Sequence, residues 1–200
     1  MARPKNFDQH QVMANAMQAF WLKGYQATSM KDLELATGLK PSSFYNTFGS
    51  KEDFFLMVLD YYSEKVVGAR MERYLKQADP IKGIKDFFTT CFTDLPRGSE
   101  GIACLLVNSM SEIAIHHDGI RKVLNQNEVL LRANFLRCVE QAQQEKRISN
   151  QHDSGVLADQ LLITLNGLLV TSKAIKNNEK MLEACLQSLR FILGEAVVAS

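Results

Sequence analysis

Apolar residues recur at helical intervals along almost the whole chain, and period-two alternation of the strand kind is nearly absent. Met13, Ala16, Met17 and Phe20 stand at i, i+3, i+4 and i+7, which gives a first helix one apolar face. Lys23-Gly24 ends it, with a cation in the last turn and a residue that tolerates left-handed backbone. Thr28-Ser29 offers an N-cap with Asp32 three residues beyond Ser29, and Met30, Leu33 and Ala36 line the buried side of a short second helix that Gly38 stops. Lys40-Pro41 opens a third helix, with proline suited to the first position, and Gly49 closes it after barely two turns. Ser50 caps a fourth, with Glu52 and Asp53 in its first turn and Phe54, Met57, Val58 and Tyr61 as its stripe, expected to reach residue 76.

Asp79-Pro80 marks a break. Further helices are expected over 82–94, from near Ala103, and over 119–146, 154–176 and 179–196, with 95–101 and 149–154 as polar connections. The pattern therefore predicts an all-α fold of nine helices. An N-terminal domain over 1–52 and a larger helical domain over 53–200 would share the fourth helix.

Composition narrows the function. With 200 residues, 46% of them hydrophobic, the chain can bury a real core. The net charge of +1 gives no global attraction to nucleic acid or membrane, but residues 1–51 carry six cations against three acids, so the N-terminal quarter is the basic end. The four cysteines, at 91, 104, 138 and 185, form no CxxC and no compact disulfide framework. The N-terminal residues lack the apolar core of a secretory signal, and the longest apolar run, Leu161 to Val170, is interrupted by Thr164, Asn166 and Gly167. A cytoplasmic protein with reduced thiols and no membrane partner is expected. No nucleophile–base–acid order, P-loop or dinucleotide fingerprint is present, so no catalytic residue is assigned and no cofactor is expected.

The stretch GLKPSSFYNTFGSK, residues 38–51, joins aromatic rings to hydroxyls and lysines. A short helix after a tight turn fits a helix-turn-helix, whose second helix brings its N-terminal residues to base edges in the major groove. Lys40 suits a phosphate or a guanine, and the Pro41 ring a thymine methyl. Ser42 and Ser43 allow close approach and can hydrogen-bond a base or a phosphate. Phe44 and Phe48, four apart, would pack inward and turn the Tyr45 hydroxyl out toward the phosphate backbone. Lys51 and Thr28, at the starts of helices, have phosphate within reach of free backbone amides. These seven residues are the candidate DNA contacts.

Over residues 10–60 the line GYQATSMKDLELATGLKPSSFYNTFGSKEDFF resembles the DNA-binding segment of TetR-family transcriptional regulators. The resemblance rests on the aromatic and glycine after the first helix, Thr-Ser before the second, and the Phe-Tyr-x-x-Phe-x-Ser-Lys-Glu signature. It implies an all-helical homodimer that binds a palindromic DNA operator through its N-terminal domain and is released by a small-molecule effector held in its C-terminal domain. Departures fall where bases would be read: Lys40 stands where many members carry serine, and Ser42 where they carry glycine. The operator sequence therefore does not carry over.

The resemblance also makes the last two helices a four-helix dimer interface. They are leucine-rich on more than one face, and Leu161, Leu165, Leu168, Leu182, Leu186 and Leu189 are the candidate interface residues. In GIACLLVNSMSEIAIHH, residues 101–117, Cys104, Asn108, Glu112 and His116 recur every fourth residue and share one side of a helix, an arc of about 120°. They are the candidate effector site, and Cys104 near a helix start is a candidate for reaction with oxidants or electrophiles as well as for an ordinary buried small residue. The segment resembles a Gly-x-Cys-Leu-x-Val-Asn stretch of one TetR sub-branch, with Ala103 in place of the commoner glycine. His116, His117, Glu112 and His152 lack metal-ligand spacing, and no metal is expected. The rival reading is a helical ligand-binding or enzymatic bundle whose helix-turn-helix serves protein contacts.

Overall fold

The computed structural model describes residues 7–93, 104–113, 117–175 and 177–197, and among them every regular element is helical. The helices are α1 (Gln9–Lys23), α2 (Met30–Thr37), α3 (Pro41–Phe48), α4 (Lys51–Tyr62), α5 (Pro80–Thr93), α6 (Leu105–Glu112), α7 (Asp118–Gln144), α8 (Ser154–Ile175) and α9 (Asn178–Leu193). A short 3₁₀ turn, Gly194–Val197, follows α9. The expected connection over 95–101 and the start near Ala103 lie outside the described residues.

Local chemistry sets the short N-terminal helices. Asp8 caps α1 by accepting from the backbone N–H of His10. Ser29 and Asp32 close a reciprocal capping box on α2, as Ser50 and Asp53 do on α4. Gly38, at φ 71°, takes the left-handed conformation that ends α2, and Pro41 occupies the first turn of α3. α5 begins two residues earlier than its apolar pattern suggested. The Asp79 carboxylate accepts from the N–H groups of Ile81 and Lys82, both at 3.0 Å, and so caps a helix that starts on the proline itself.

Past Tyr62 the fourth helix does not stop. It runs on through two π-helical stretches, Ser63–Gly68 and Met71–Leu75, whose turns are wider than those of an α-helix. α5 crosses this tail closely: a β-carbon at Gly83 would collide with the Tyr74 carbonyl.

Two hydrophobic cores result. In the head, Phe20, Leu33, Phe44, Phe48, Phe54 and Phe55 pack ring on ring, with Phe44–Phe54 and Phe48–Phe54 centroids 4.7 and 4.5 Å apart. That core is completed by Leu105, Leu106 and Ile113 of the α6 region and by Ile120 and Leu124 of α7. The body core joins α5, α7, α8 and α9 with the π-helical tail.

By length and composition α8 could cross a membrane, with an 18-residue window of mean hydropathy 1.3, which the interruptions at Thr164, Asn166 and Gly167 did not suggest. Here its leucines pack against α7 and α9. Four of the six leucines assigned to a dimer interface, Leu161, Leu165, Leu168 and Leu189, lie in this chain's own core, while Leu182 and Leu186 are half-buried. Periodicity finds an apolar face but does not say which of two faces turns inward. On these two helices the large apolar residues left exposed are Val156, Ile163, Val170 and Ile175 of α8, the first three in line with Gly167, and Phe191 of α9, which is 91% exposed.

Candidate nucleic-acid interface and effector cavity

α3 divides cleanly. Phe44 and Phe48 are buried, while Lys40, Pro41, Ser42, Ser43 and Tyr45 stand in solvent, Tyr45 with half its surface free. The rings beneath hold the helix in place, and the solvent side offers hydroxyls, a proline ring and a cation together. Asn46 shares that exposed side. Sequence reasoning passed over it, although an amide is the side chain suited to a two-point contact with adenine.

The two remaining DNA candidates are placed otherwise. Thr28 is fully buried and its hydroxyl donates to the Gly24 carbonyl at 2.6 Å, so this side chain braces the turn between α1 and α2. Lys51 turns back onto the same turn: its ammonium donates to the Tyr25 carbonyl at 2.6 Å and lies 4.3 Å from the centre of the Tyr25 ring. Burial pushes the Lys51 pKa down, against the opposing pull of Glu112 and Asp32.

Glu112 is not in the wall of the cavity described below; it reaches from the end of α6 to the head, where its carboxylate accepts from the backbone N–H groups of Tyr25 at 3.2 Å and Gln26 at 2.6 Å. Gly24, at φ 81°, makes room for it, because a β-carbon there would stand 2.8 Å from the Glu112 oxygen. Nearby, His117 Nδ1 meets the Glu52 carboxylate at 2.7 Å. The turn Gly24–Gln26 is thus gripped from α4 on one side and α6 on the other. Glu112 stands 87 positions from Tyr25 in the chain, and no local pattern announces such a pair.

Between the head and the body core lies a cavity of about 130 Å³. Apolar and aromatic side chains from α1, α4 and its tail, α5, α6, α7 and α8 form most of its wall, Trp21, Phe87 and Leu165 among them. Of the three predicted effector residues among those described, Cys104 alone is in this wall. It precedes the first residue of α6, and the Tyr62 hydroxyl donates to its sulfur at 3.5 Å. Tyr62 is buried, which together with Cys104 raises its pKa well above the ordinary phenol value. Asn108 is buried within α6 but is not in the wall, and His116 lies outside the described residues. Arg70 and Glu128 are the only charged residues in the described wall, and the sequence singled out neither. No group of His, Cys, Asp or Glu suited to a metal occurs among the described residues.

A family model described as bacterial regulatory proteins, tetR family, matches residues 12–58. One described as tetracyclin repressor-like, C-terminal domain, matches residues 86–187. The chain is 27% identical over 194 residues to the HTH-type transcriptional repressor ComR of Escherichia coli K12, covering 94% of this chain and 90% of that protein. To the HTH-type transcriptional repressor DhaR of Mycobacterium sp. GP1 it is 26% identical over 195 residues, covering 92% and 96%. In fold it is similar to the TetR family transcriptional regulator CifR, solved as a cysteine mutant with 26-bp operator DNA, at TM-score 0.81 and 23% identity over 94% of this chain and 98% of that one.

Proposed function

We infer the function of this chain from one premise: it belongs to the tetR family of bacterial regulatory proteins. It is a DNA-binding transcriptional repressor with a helix-turn-helix head and a helical C-terminal body. The observation that carries the finer reading is the two-sided build of α3, rings below and Lys40, Pro41, Ser42, Ser43, Tyr45 and Asn46 above. We assign this face to the major groove, with Lys40, Ser42 and Asn46 nearest to base edges and Tyr45 on the phosphate backbone. Lys51 and Thr28 act beneath that face by fixing the turn from which α2 springs.

The protein works in the cytoplasm as a homodimer on a palindromic site. The exposed stripe Val156, Ile163, Gly167 and Val170 on α8, with Phe191 on α9, is the surface that meets the second copy. Two heads then sit about one helical turn of DNA apart, roughly 34–36 Å.

The cavity is the effector site, and its occupation relieves repression. α6 supports this link, since its N-terminal end borders the cavity and its C-terminal end holds the head through Glu112. Cys104 in the wall makes a reactive electrophile one effector class and a reversibly bound organic molecule another.

Selection of genomic DNA fragments by the purified protein tests the reading. Enrichment of a palindrome supports it, whereas no enrichment favours a helical bundle whose head contacts proteins. Cys104→Ser then separates the effector classes: release of DNA by electrophiles that survives the change removes the thiol.

A further inference from the structure

The two charges in the cavity wall are not equally satisfied. The Arg70 guanidinium donates to the carbonyls of Phe87 and Thr90 at 2.9 and 3.4 Å and to the Thr90 hydroxyl at 2.6 Å, and it lies over the Phe87 and Tyr74 rings at 5.4 and 5.7 Å. It faces the carbonyl end of α5, where the helix dipole already favours a cation. Glu128 on α7 receives one neutral donor, the Asn166 amide of α8 at 3.0 Å, and among the described residues no Lys, Arg or His pairs with it. Burial raises its pKa, a sign that the carboxylate charge is poorly compensated. Asn166 is one of the polar residues that interrupt the apolar run of α8, and its use here is to orient this carboxyl at the cavity.

We propose that the cavity takes a small organic cation, a protonated alkyl- or arylalkyl-amine whose ammonium group sits against Glu128 while its apolar body lies among the aromatic and aliphatic walls. An ammonium supplies the N–H donors and positive charge that Glu128 lacks, and the aromatic rings of the wall favour a cation further. A carboxylate ligand would have to compete with α5 for Arg70 and would meet Glu128 with like charge. The proposal rests on the cavity being the effector site, and binding and DNA release are therefore read separately.

Trp21 is the only tryptophan of the chain and stands in the cavity wall, so its emission reports occupancy of the full-length protein directly. The probes are 2-phenylethylamine, its neutral analogue 2-phenylethanol and the anion 3-phenylpropanoate, titrated at pH 7 with calorimetry in parallel. The amine is expected to bind at least about tenfold more tightly than the alcohol, and the anion more weakly still, as one charge-assisted hydrogen bond in a half-buried site implies. Glu128→Gln, nearly isosteric, is expected to remove that preference and leave the alcohol unchanged. The wild-type ranking stands as a test whether or not the variant folds. Alcohol or anion binding as tightly as the amine overturns the proposal, as does a variant that keeps the preference, or the absence of heat for the amine at millimolar concentration. An amine that binds through Glu128 but leaves operator DNA occupied retains the ligand class and removes the effector role. Release of operator by the anion without amine binding does the reverse.

Discussion

The head, α1 to α3, is made of short helices bounded by local signals, side-chain caps on α1 and α2 and Pro41 and Gly49 on α3, around a core dense with aromatic rings. The body, α5 to α9, has helices of up to 27 residues held by long aliphatic stripes, and part of what it encloses is empty. The head presents its polar side chains on the outside of something solid, whereas the body borders a hollow. In the first case a surface residue can change without disturbing the support beneath it. In the second, the residues that would touch a ligand are also packing residues, so recognition and stability draw on the same side chains.

The sharpest way to break this contrast is at the centre of the head. Phe54→Ala removes the ring against which Phe20, Phe44 and Phe48 pack and is expected to cost about 4 kcal/mol. Chemical denaturation followed by circular dichroism should show the head melting first and operator binding lost, with the helices of the body retained. Gly83→Val tests the body. The added carbons collide with the Tyr74 carbonyl, and a loss of about 2–3 kcal/mol is expected, read as a fall in Tm. Tolerance of valine there would mean that α5 and the π-helical tail do not cross as closely as described.

Glu112→Ala acts where the two regions meet. Two backbone N–H groups lose a charged acceptor, a cost of about 2 kcal/mol. Operator affinity in this variant should respond less to an effector than in the native protein, which parallel mobility-shift titrations with and without ligand would measure. Tyr45→Phe belongs to the outer face alone. Stability should stay unchanged while affinity for all duplexes falls by about three- to tenfold, the worth of one hydrogen bond to phosphate. Lys40→Ala on the same face should relax the sequence preference at one operator position, which selection of DNA sites by the variant would show. The smallest effect concerns Asp53, whose pKa the Ser50 hydrogen bonds hold below the ordinary value. A carboxyl with a depressed folded-state pKa adds stability above its unfolded value of about 3.9, and that stability is lost as pH falls through the folded value. Asp53→Asn should therefore flatten the acid limb of the stability curve by lowering stability slightly at neutral pH, and leave the acid end of the curve nearly untouched.

The contrast also explains which features a linear reading recovers. Ser29 with Asp32, Gly38, Pro41, Gly49 and Ser50 with Asp53 are signals complete within a few residues, so the borders of α2, α3 and the start of α4 are legible directly. Lys51 is not, because the same lysine suits a phosphate or a buried carbonyl, and the choice depends on a turn 26 residues away. The leucines of α8 and α9 form more than one apolar face, and only packing against α5 and α7 decides that Leu161, Leu165, Leu168 and Leu189 face inward. The cavity has no linear signature at all. Arg70 and Glu128 become neighbours of one space through the crossing of elements far apart in the chain, and an empty volume is a property of the atoms around it.

The floor of the head is laid by residues from the opposite half of the polypeptide: Leu105, Leu106, Ile113, Ile120 and Leu124. A protein engineer who transplants residues 1–52 onto another regulator's body would therefore carry away a roof without its joists. Successful chimeras in this fold will be those in which the donor's α6 and the opening of α7 travel with the graft, or in which the host presents the same five bulky aliphatic side chains at that seam.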